Sequence, residues 1–556
     1  MALVAESTIS APRIHKAVCR ECRQFASGER RGRYNFAAAP SPNKRDNNRA
    51  IWHDLPSEMK ENKPEKRILG FSWSMLAILL LGTALRFLHL GRQSLWIDEG
   101  FSWLAVQLSF GGVTLLSLHD VHPPLYYYLL KASLWVLPDT EFGMRFVSVL
   151  FSVATLAVMM AFVYRHWGHR AACCVGWLGA LSPFDIYYAQ EARMYSLLTF
   201  FFVLAFIELV EALEGKPAHL LGWVAATTGL AWTHAYGLLA AFLQIGFFAV
   251  YWTWQRLRGR PFPLRPKPVM AALAGMLLGV GPIVILFYNL RNGAAGSVTV
   301  PRVNDILTLV RCWTTGPMSA FVAYKIPWRV YDVSAAVMVG CAALGARQLW
   351  RRDEFQHWIL YFTVLLIAAP PALVFAYSTL LKHPLWVERG FLPDAHILYL
   401  LAGIGLSAIG SRALRGVAIA TIAVSVVSGE IYYYTKFEKS PAASAFHSLP
   451  PITPQRVVLL CPPWLDNEAY YYLRAQTTFW SVEKNSPWRL LRLRRSGGTY
   501  GETVATCDEA NLEAISDIYA FGNAAEIRTN RSHWPGCLLA KKTWVFEKSH
   551  WHPIDG

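Results

Sequence analysis

Apolar residues in this chain are gathered in blocks of roughly 18 to 23, separated by short polar stretches, and a helix of that length crosses the hydrocarbon of a bilayer. The blocks fall at about 68–90, 143–164, 171–189, 194–213, 219–235, 237–254, 268–290, 331–348, 357–379, 391–409 and 413–434. The pattern predicts an α-helical polytopic membrane protein with about 11 transmembrane helices. One further apolar stretch, Pro123 to Leu137, is short for a span and carries Lys131. If it lies flat on the membrane, the clusters Arg165/His166/His169/Arg170, Lys216, Arg256 to Lys267, Arg347/Arg351/Arg352 and Arg412/Arg415 all fall on one side, together with the basic N-terminus. Cytoplasmic loops carry such an excess of Lys and Arg. The segment is therefore expected to be a juxtamembrane helix, with Tyr126, Tyr127, Tyr128 and Trp135 at the headgroup level.

This register sends residues 91–142, the turns 182–194 and 233–237, the loops 291–329 and 379–390, and everything after 435 to the extracytoplasmic side. Three regions follow. Residues 1–67 are polar and basic and are expected to be a disordered cytoplasmic tail; an over-extended gene start explains them equally well. Residues 68–436 form the transmembrane domain. Residues 437–556 alternate short β-rich pieces, such as Arg456–Cys461, with polar segments, and are expected to form a small α/β or irregular extracytoplasmic domain.

Composition agrees with a membrane protein: of 556 residues, 54% are hydrophobic and 16% charged. The formal charge of +16 would suggest nucleic acid in a soluble protein, but here much of it sits in the short loops that set orientation. Cys19 and Cys22 form one isolated CxxC, too little for a zinc site. Cys461, Cys507 and Cys537 lie in the region expected outside, where one pair could form a disulfide.

The polar segments converge on that same outer side. Adjacent acids in Ser94–Ser102, SLWIDEGFS, stand at the membrane edge, where they are costly unless solvated, paired or used. Neighbouring residues point in different directions, so one of Asp98 and Glu99 is expected to reach a substrate while the other pairs with a base. His119, Asp120 and His122 in LHDVHPPL are candidates for a divalent metal or a sugar hydroxyl, and His122-Pro123-Pro124 equally suits a helix start. YYAQEARMY supplies Gln190, Glu191, Arg193 and Tyr195, and KHPLWVERG supplies Lys382, His383, Glu388 and Arg389. Guanidinium groups at headgroup level suit a phosphate, which they hold in a fork. His234 and Tyr236 are weaker candidates.

The order WIDEGFS, HPPLYYYLL, GMRFVSVLFS, YYAQEARMYSLL and ERGFLP resembles the GT-C membrane glycosyltransferases, on the branch with protein O-mannosyltransferases, lipid A aminoarabinose transferases and bacterial galacturonosyltransferases. The resemblance covers about 68–435. It implies a GT-C-type bundle, a polyprenyl-phosphate sugar as donor and a lipid, glycan or protein as acceptor. It also implies a site on the extracytoplasmic face of a bacterial inner membrane, Asp98 as base with Glu99 beside it, His122 opening the juxtamembrane helix, and Arg389 at the donor phosphate. The family often has Arg-Tyr where this chain has Arg389-Gly390. A lipid or solute transporter is the alternative; it should place charges or broken helices at mid-membrane in paired halves.

Overall fold

The computed structural model describes residues 71–553 and Ile554, apart from 119, 121, 291–299, 317–327, 454, 475–477, 484–488, 497–498 and 506–514. The expected N-terminal tail and the CxxC lie outside the described residues. The first helix, α1 (Trp73–Phe87), is opened by Ser72, whose hydroxyl accepts from the Met75 amide. Three short helices follow: α2 (Ile97–Gln107), α3 (Phe110–Ser117) and α4 (Leu125–Ser133). The next two expected spans form one 40-residue helix, α5 (Glu141–Ala180), broken at Gly168, where φ is 82°. Only glycine adopts that conformation without strain, so the break marks the loop expected from the Arg165–Arg170 cluster. A seven-residue helix, α6 (Pro183–Ala189), leads into α7 (Tyr195–Leu213).

Eight more helices follow among the described residues: α8 (His219–Ala231), α9 (Ala235–Leu257), α10 (Pro266–Leu290), α11 (Val303–Thr315), α12 (Trp328–Trp350), α13 (Glu354–Leu380), α14 (Leu392–Ala408) and α15 (Arg412–Thr435), which closes the chain's apolar part. Eight helices among the described residues are long and apolar enough to cross a membrane. Counting broken α5 as two segments and adding the shorter apolar α1 gives ten, and the eleventh expected span, 219–235, corresponds to the 13-residue α8. The protein is an integral membrane protein of polytopic α-helical class.

The segment at 123–137 is a helix, as expected, but its orientation differs. Tyr126, Tyr127 and Leu130 are buried completely, while Trp135 is 71% exposed. The aromatic face is therefore divided: Tyr126 and Tyr127 point into the protein because their hydroxyls find partners there, Ser148 Oγ for Tyr126 and the Arg193 guanidinium for Tyr127.

Buried charge also enters the helical bundle. Arg86, in the last turn of α1, is fully buried and bonds Asp185, Ser152 Oγ at 2.7 Å, and the carbonyls of Gly82 and Gly179, each at 2.9 Å. Asp185 opens α6 and His396 Nε2 stands 3.6 Å from it. These groups tie α1, α5, α6 and α14 together near the ends of the helices, as paired buried charges must.

After α15 the chain passes through α16 (Ala442–His447) into a sheet of seven strands. These are β1 (Arg456–Cys461), β2 (Thr478–Glu483), β3 (Arg489–Ser496), β4 (Thr499–Ala505), β5 (Asp517–Gly522), β6 (Lys542–Glu547) and β7 (His550–Ile554), in spatial order β4-β3-β2-β1-β5-β6-β7. The four central strands are parallel and both flanks antiparallel. Val458, Leu460, Phe521 and Phe546 on one face join the core of the membrane helices. Leu459, Ile518, Ala520 and Val545 on the other pack with Ile527 of α18 (Ala524–Asn530) and Leu538 of α19 (Gly536–Leu539). Period-two alternation thus covers both faces. Cys537 is disulfide-bonded and Cys461 is free, so Cys461 is excluded from the pairing.

The C-terminal part is not separate in space, since residues 66–556 form one unit. Its helix α17 (Asp466–Tyr472) lies on α2, and Gly100 makes the contact possible. A Cβ there would stand 2.6 Å from the Asn467 carbonyl oxygen.

Candidate active site

Asp98 and Glu99 occupy the first turn of α2, where carboxylates suit the helix N-terminus. A single residue step along the helix separates their fates. Glu99 faces inward and is completely buried. Arg145 of α5 grips it with two bonds of 2.7 Å, Nε to Oε1 and Nη2 to Oε2, and the Ala192 amide donates to Oε1 at 2.8 Å. Burial by itself would raise its pKa, but the Arg145 and Lys439 charges and these bonds outweigh burial and hold the carboxyl below its usual range.

Asp98 faces outward, its side chain 25% exposed, and Arg389 Nη2 stands 3.2 Å from its Oδ2. The guanidinium of Arg389 also lies over the rings of Trp96, at 5.8 Å, and Tyr195, at 5.6 Å. Arg193 approaches from another side: it donates to the Asp98 carbonyl at 3.3 Å, to the Tyr127 hydroxyl at 3.3 Å, and to His122 Nε2 at 3.1 Å. A guanidinium can only donate, so His122 Nε2 accepts and its Nδ1–H points to Asp120 Oδ2 at 2.9 Å. Burial and the Arg193 charge lower the His122 pKa, so the ring is neutral in this tautomer.

Glu191 is fully buried, and its Oε1 accepts from Trp96 Nε1 at 2.8 Å. Burial pushes its carboxyl up to about 7, against the opposing charge of Lys439. Four buried polar atoms here have no hydrogen-bond partner among the described residues: Asp98 Oδ2, Glu191 Oε2, Arg193 Nε and Arg389 Nε. Buried polar atoms are nearly always satisfied, so four left open around one place make it a candidate site for a polar ligand.

The structure thus brings together Asp98, His122, Glu191, Arg193, Tyr195 and Arg389. It turns two other expected residues to internal work. Glu99 is spent on Arg145 and Ala192, and the Gln190 side chain on the carbonyls of Arg86 and Leu88, at 2.9 and 2.8 Å, and the Tyr433 hydroxyl, at 2.9 Å. Lys382 is exposed just beyond α13. Gly390, where tyrosine was anticipated by resemblance, has no space for a side chain: a Cβ would stand 2.5 Å from the Tyr236 ring of α9.

The expected metal group fares poorly. His119 lies outside the described residues, both His122 nitrogens and Asp120 Oδ2 are committed, and the Arg193 guanidinium sits where a cation would be repelled. Asp120 and His122, the two that are described, do not fit a divalent ion as they are paired here. His166, beside the break in α5, and Glu211 and Glu214, at the C-terminal end of α7, offer ligand atoms within 4.8 Å of one another, but Lys216 pairs with both glutamates and Arg165 with Glu211.

Sequence reasoning missed Arg145, Trp96 and Lys439. A lone arginine at the start of an apolar span signalled Arg145. Lys439, between α15 and the sheet, carried no local signal.

No family model matches the chain, and no curated protein matches it. Among solved structures it is similar to ArnT from Cupriavidus metallidurans in the apo state, with 14% identity over 72% of this chain and 84% of that one and a TM-score of 0.49. The same protein bound to undecaprenyl phosphate gives 14% identity over 74% and 86%, with a TM-score of 0.48. The archaeal oligosaccharyltransferase AglB from Archaeoglobus fulgidus, in complex with an inhibitory peptide and a dolichol-phosphate, gives 10% identity over 72% and 64%, with a TM-score of 0.45. These TM-scores all fall below 0.5, so the functional reading rests on the residues of this chain.

Proposed function

We propose that the protein is a membrane glycosyltransferase that moves a sugar from a polyprenyl-phosphate donor to an acceptor hydroxyl or amine on the extracytoplasmic face of a bacterial inner membrane. The observation that carries this reading is the open polar ring: one partly exposed carboxylate, Asp98, faced by two guanidinium groups, Arg193 and Arg389, whose Nε atoms have no acceptor among the described residues. Two guanidiniums beside one carboxylate suit a phosphate monoanion and a proton acceptor in contact.

In the reaction, Asp98 takes the acceptor proton while the acceptor oxygen or nitrogen attacks the anomeric carbon and the carbon–oxygen bond to phosphate breaks. Arg389 and Arg193 stabilise the charge that gathers on the departing phosphate. Before the donor arrives, Arg389 is paired with Asp98; the phosphate competes for that guanidinium and frees the carboxylate for its proton. Direct attack inverts the sugar carbon. Glu99 and Gln190 hold the surrounding backbone, while Glu191, Tyr195 and His122 line the site. An apolar cavity of about 320 Å³ between α5, α11, α12, α14 and α15, walled by Trp177, Leu181, Trp313, Met338 and Ile422, suits part of a hydrocarbon chain.

Reconstituted protein supplied with a polyprenyl-phosphate sugar or the matching nucleotide sugar tests the reading. Turnover is expected with the lipid-linked donor, with Arg389→Ala weakening donor use about tenfold or more and Arg389→Lys recovering part, because a point charge lacks the fork. Efficient turnover with the nucleotide sugar alone, untouched by Arg389→Ala, overturns it.

A further inference from the structure

The turn from Gln190 to Arg193 carries two of the site's side chains, and it is pinned at several backbone atoms. The Ala192 amide donates to Glu99, and the Arg193 carbonyl accepts from Ser148 Oγ at 3.1 Å. A third pin comes from far along the chain: Lys439 Nζ donates to the Gln190 carbonyl at 2.7 Å. That carbonyl belongs to the C-cap of α6, one of the groups a helix end leaves without an intrahelical partner. A cation at a helix C-terminus satisfies such a carbonyl and complements the dipole.

Lys439 is an unusual choice for this work because its side chain is only 1% exposed. Burial lowers its pKa, opposed by Glu99 4.0 Å away. Its ammonium also lies 4.9 Å from the centre of the Tyr187 ring. Neutralising Glu99 does not explain the residue, since Arg145 already meets both of that carboxylate's oxygens. The direct bond that remains is the one to Gln190. The lysine is itself held in place: the Gln93 side chain accepts from the Lys439 amide at 2.9 Å and donates to the Phe437 carbonyl at 2.7 Å. Next to it, Ser440 Oγ donates to buried Glu468 of α17 at 3.0 Å, which joins the same segment to the C-terminal domain.

We propose that Lys439, delivered by the segment that links the last membrane helix to the C-terminal domain, is a positioning residue of the active site: by capping α6 it sets the Gln190–Arg193 turn and so aims Glu191 and Arg193 at the place faced by Asp98. The C-terminal domain is then a working part of the site. This rests on the reaction proposed above, so one readout must be independent of turnover.

The test uses the full-length protein with Lys439→Met, which keeps the bulk and removes the charge and the bond, Lys439→Arg, and Gln93→Leu, which frees the lysine without altering it. Amide exchange across residues 190–193 is expected to quicken at least about tenfold in Lys439→Met and in Gln93→Leu, and to stay near wild type in Lys439→Arg. With lipid-linked donor, kcat per folded molecule should fall about tenfold or more in Lys439→Met, with KM for donor and acceptor within about twofold, and Lys439→Arg should restore part of it. Combining Lys439→Met with Gln93→Leu should add little, because both act through one contact. Unchanged exchange at 190–193, or a wild-type kcat once the folded fraction is corrected for, overturns the proposal. Wild-type protein inactive with every lipid-linked sugar, but with exchange responding as stated, sinks the reaction and leaves the tether standing.

Discussion

Arg389 Nη2 stands 3.2 Å from Asp98 Oδ2, yet that oxygen accepts no aligned hydrogen bond among the described residues. The pair is a charge contact with lone pairs to spare, formed between the 3-10 turn Glu388–Phe391 that leads into α14 and the first turn of α2. Asp98→Asn keeps the shape and removes the proton acceptor. Turnover should drop on the order of a hundredfold or more, with purification and thermal stability unchanged. Near-normal turnover in Asp98→Asn removes Asp98 as the base.

Glu99 should behave in the opposite way. Breaking a fully buried, two-bonded ion pair by removing one partner leaves the other charge stranded, at a cost of about 3–5 kcal/mol. Glu99→Gln and Arg145→Met are each expected to lower the thermal midpoint in detergent sharply, whereas Asp98→Asn leaves it alone. If Glu99→Gln folds with wild-type stability and only turnover suffers, Glu99 is a reacting group after all.

Glu191 predicts a pH dependence with a definite sign. Burial raises its folded carboxyl to about 7, above its value in the unfolded chain. The folded protein then binds more protons than the unfolded one between about pH 4.5 and 7, so this contribution to stability is present in full below that window and is lost as pH rises through 7. Thermal midpoints in detergent between pH 5 and 8 should fall with pH in the wild type, and Glu191→Gln should flatten that component. A slope identical in both proteins assigns the dependence to another group.

Topology can be checked with single cysteines placed at exposed positions in a background without reactive thiols. Gln107, at the end of α2, and Ser448, just beyond α16, are exposed. A membrane-impermeant thiol reagent should label both from outside intact cells and miss a cysteine at exposed Arg351. Protection of Gln107→Cys and Ser448→Cys with labelling at Arg351→Cys reverses the orientation and moves the site to the cytoplasm.

Much of the fold was written in local pattern. Apolar run length is a one-dimensional property, so eleven helical segments could be counted before any contact was known. The break at Gly168 fell where polar and basic residues interrupted the run. The β-rich apolar run Arg456–Cys461 likewise announced a strand, because residue propensity is local. The sheet's strand order was not legible, since pairing depends on distant partners.

The site divides the same way. By itself the sequence placed acids, histidines and arginines in loops on one side of the bundle, and implied that only one of Asp98 and Glu99 would turn inward, because adjacent residues on a helix cannot point the same way. Tertiary structure decided which one, by placing Arg145 against Glu99 and leaving Asp98 to Arg389. It also decided that Tyr126 and Tyr127 turn inward, that Gln190 binds carbonyls of α1, and that Lys439, more than three hundred residues after Asp98, holds the turn beside it. Those outcomes depend on which buried polar group finds a partner in space, and the free energy of a hydrogen bond or ion pair out of water is set by that partner, wherever in the chain it lies.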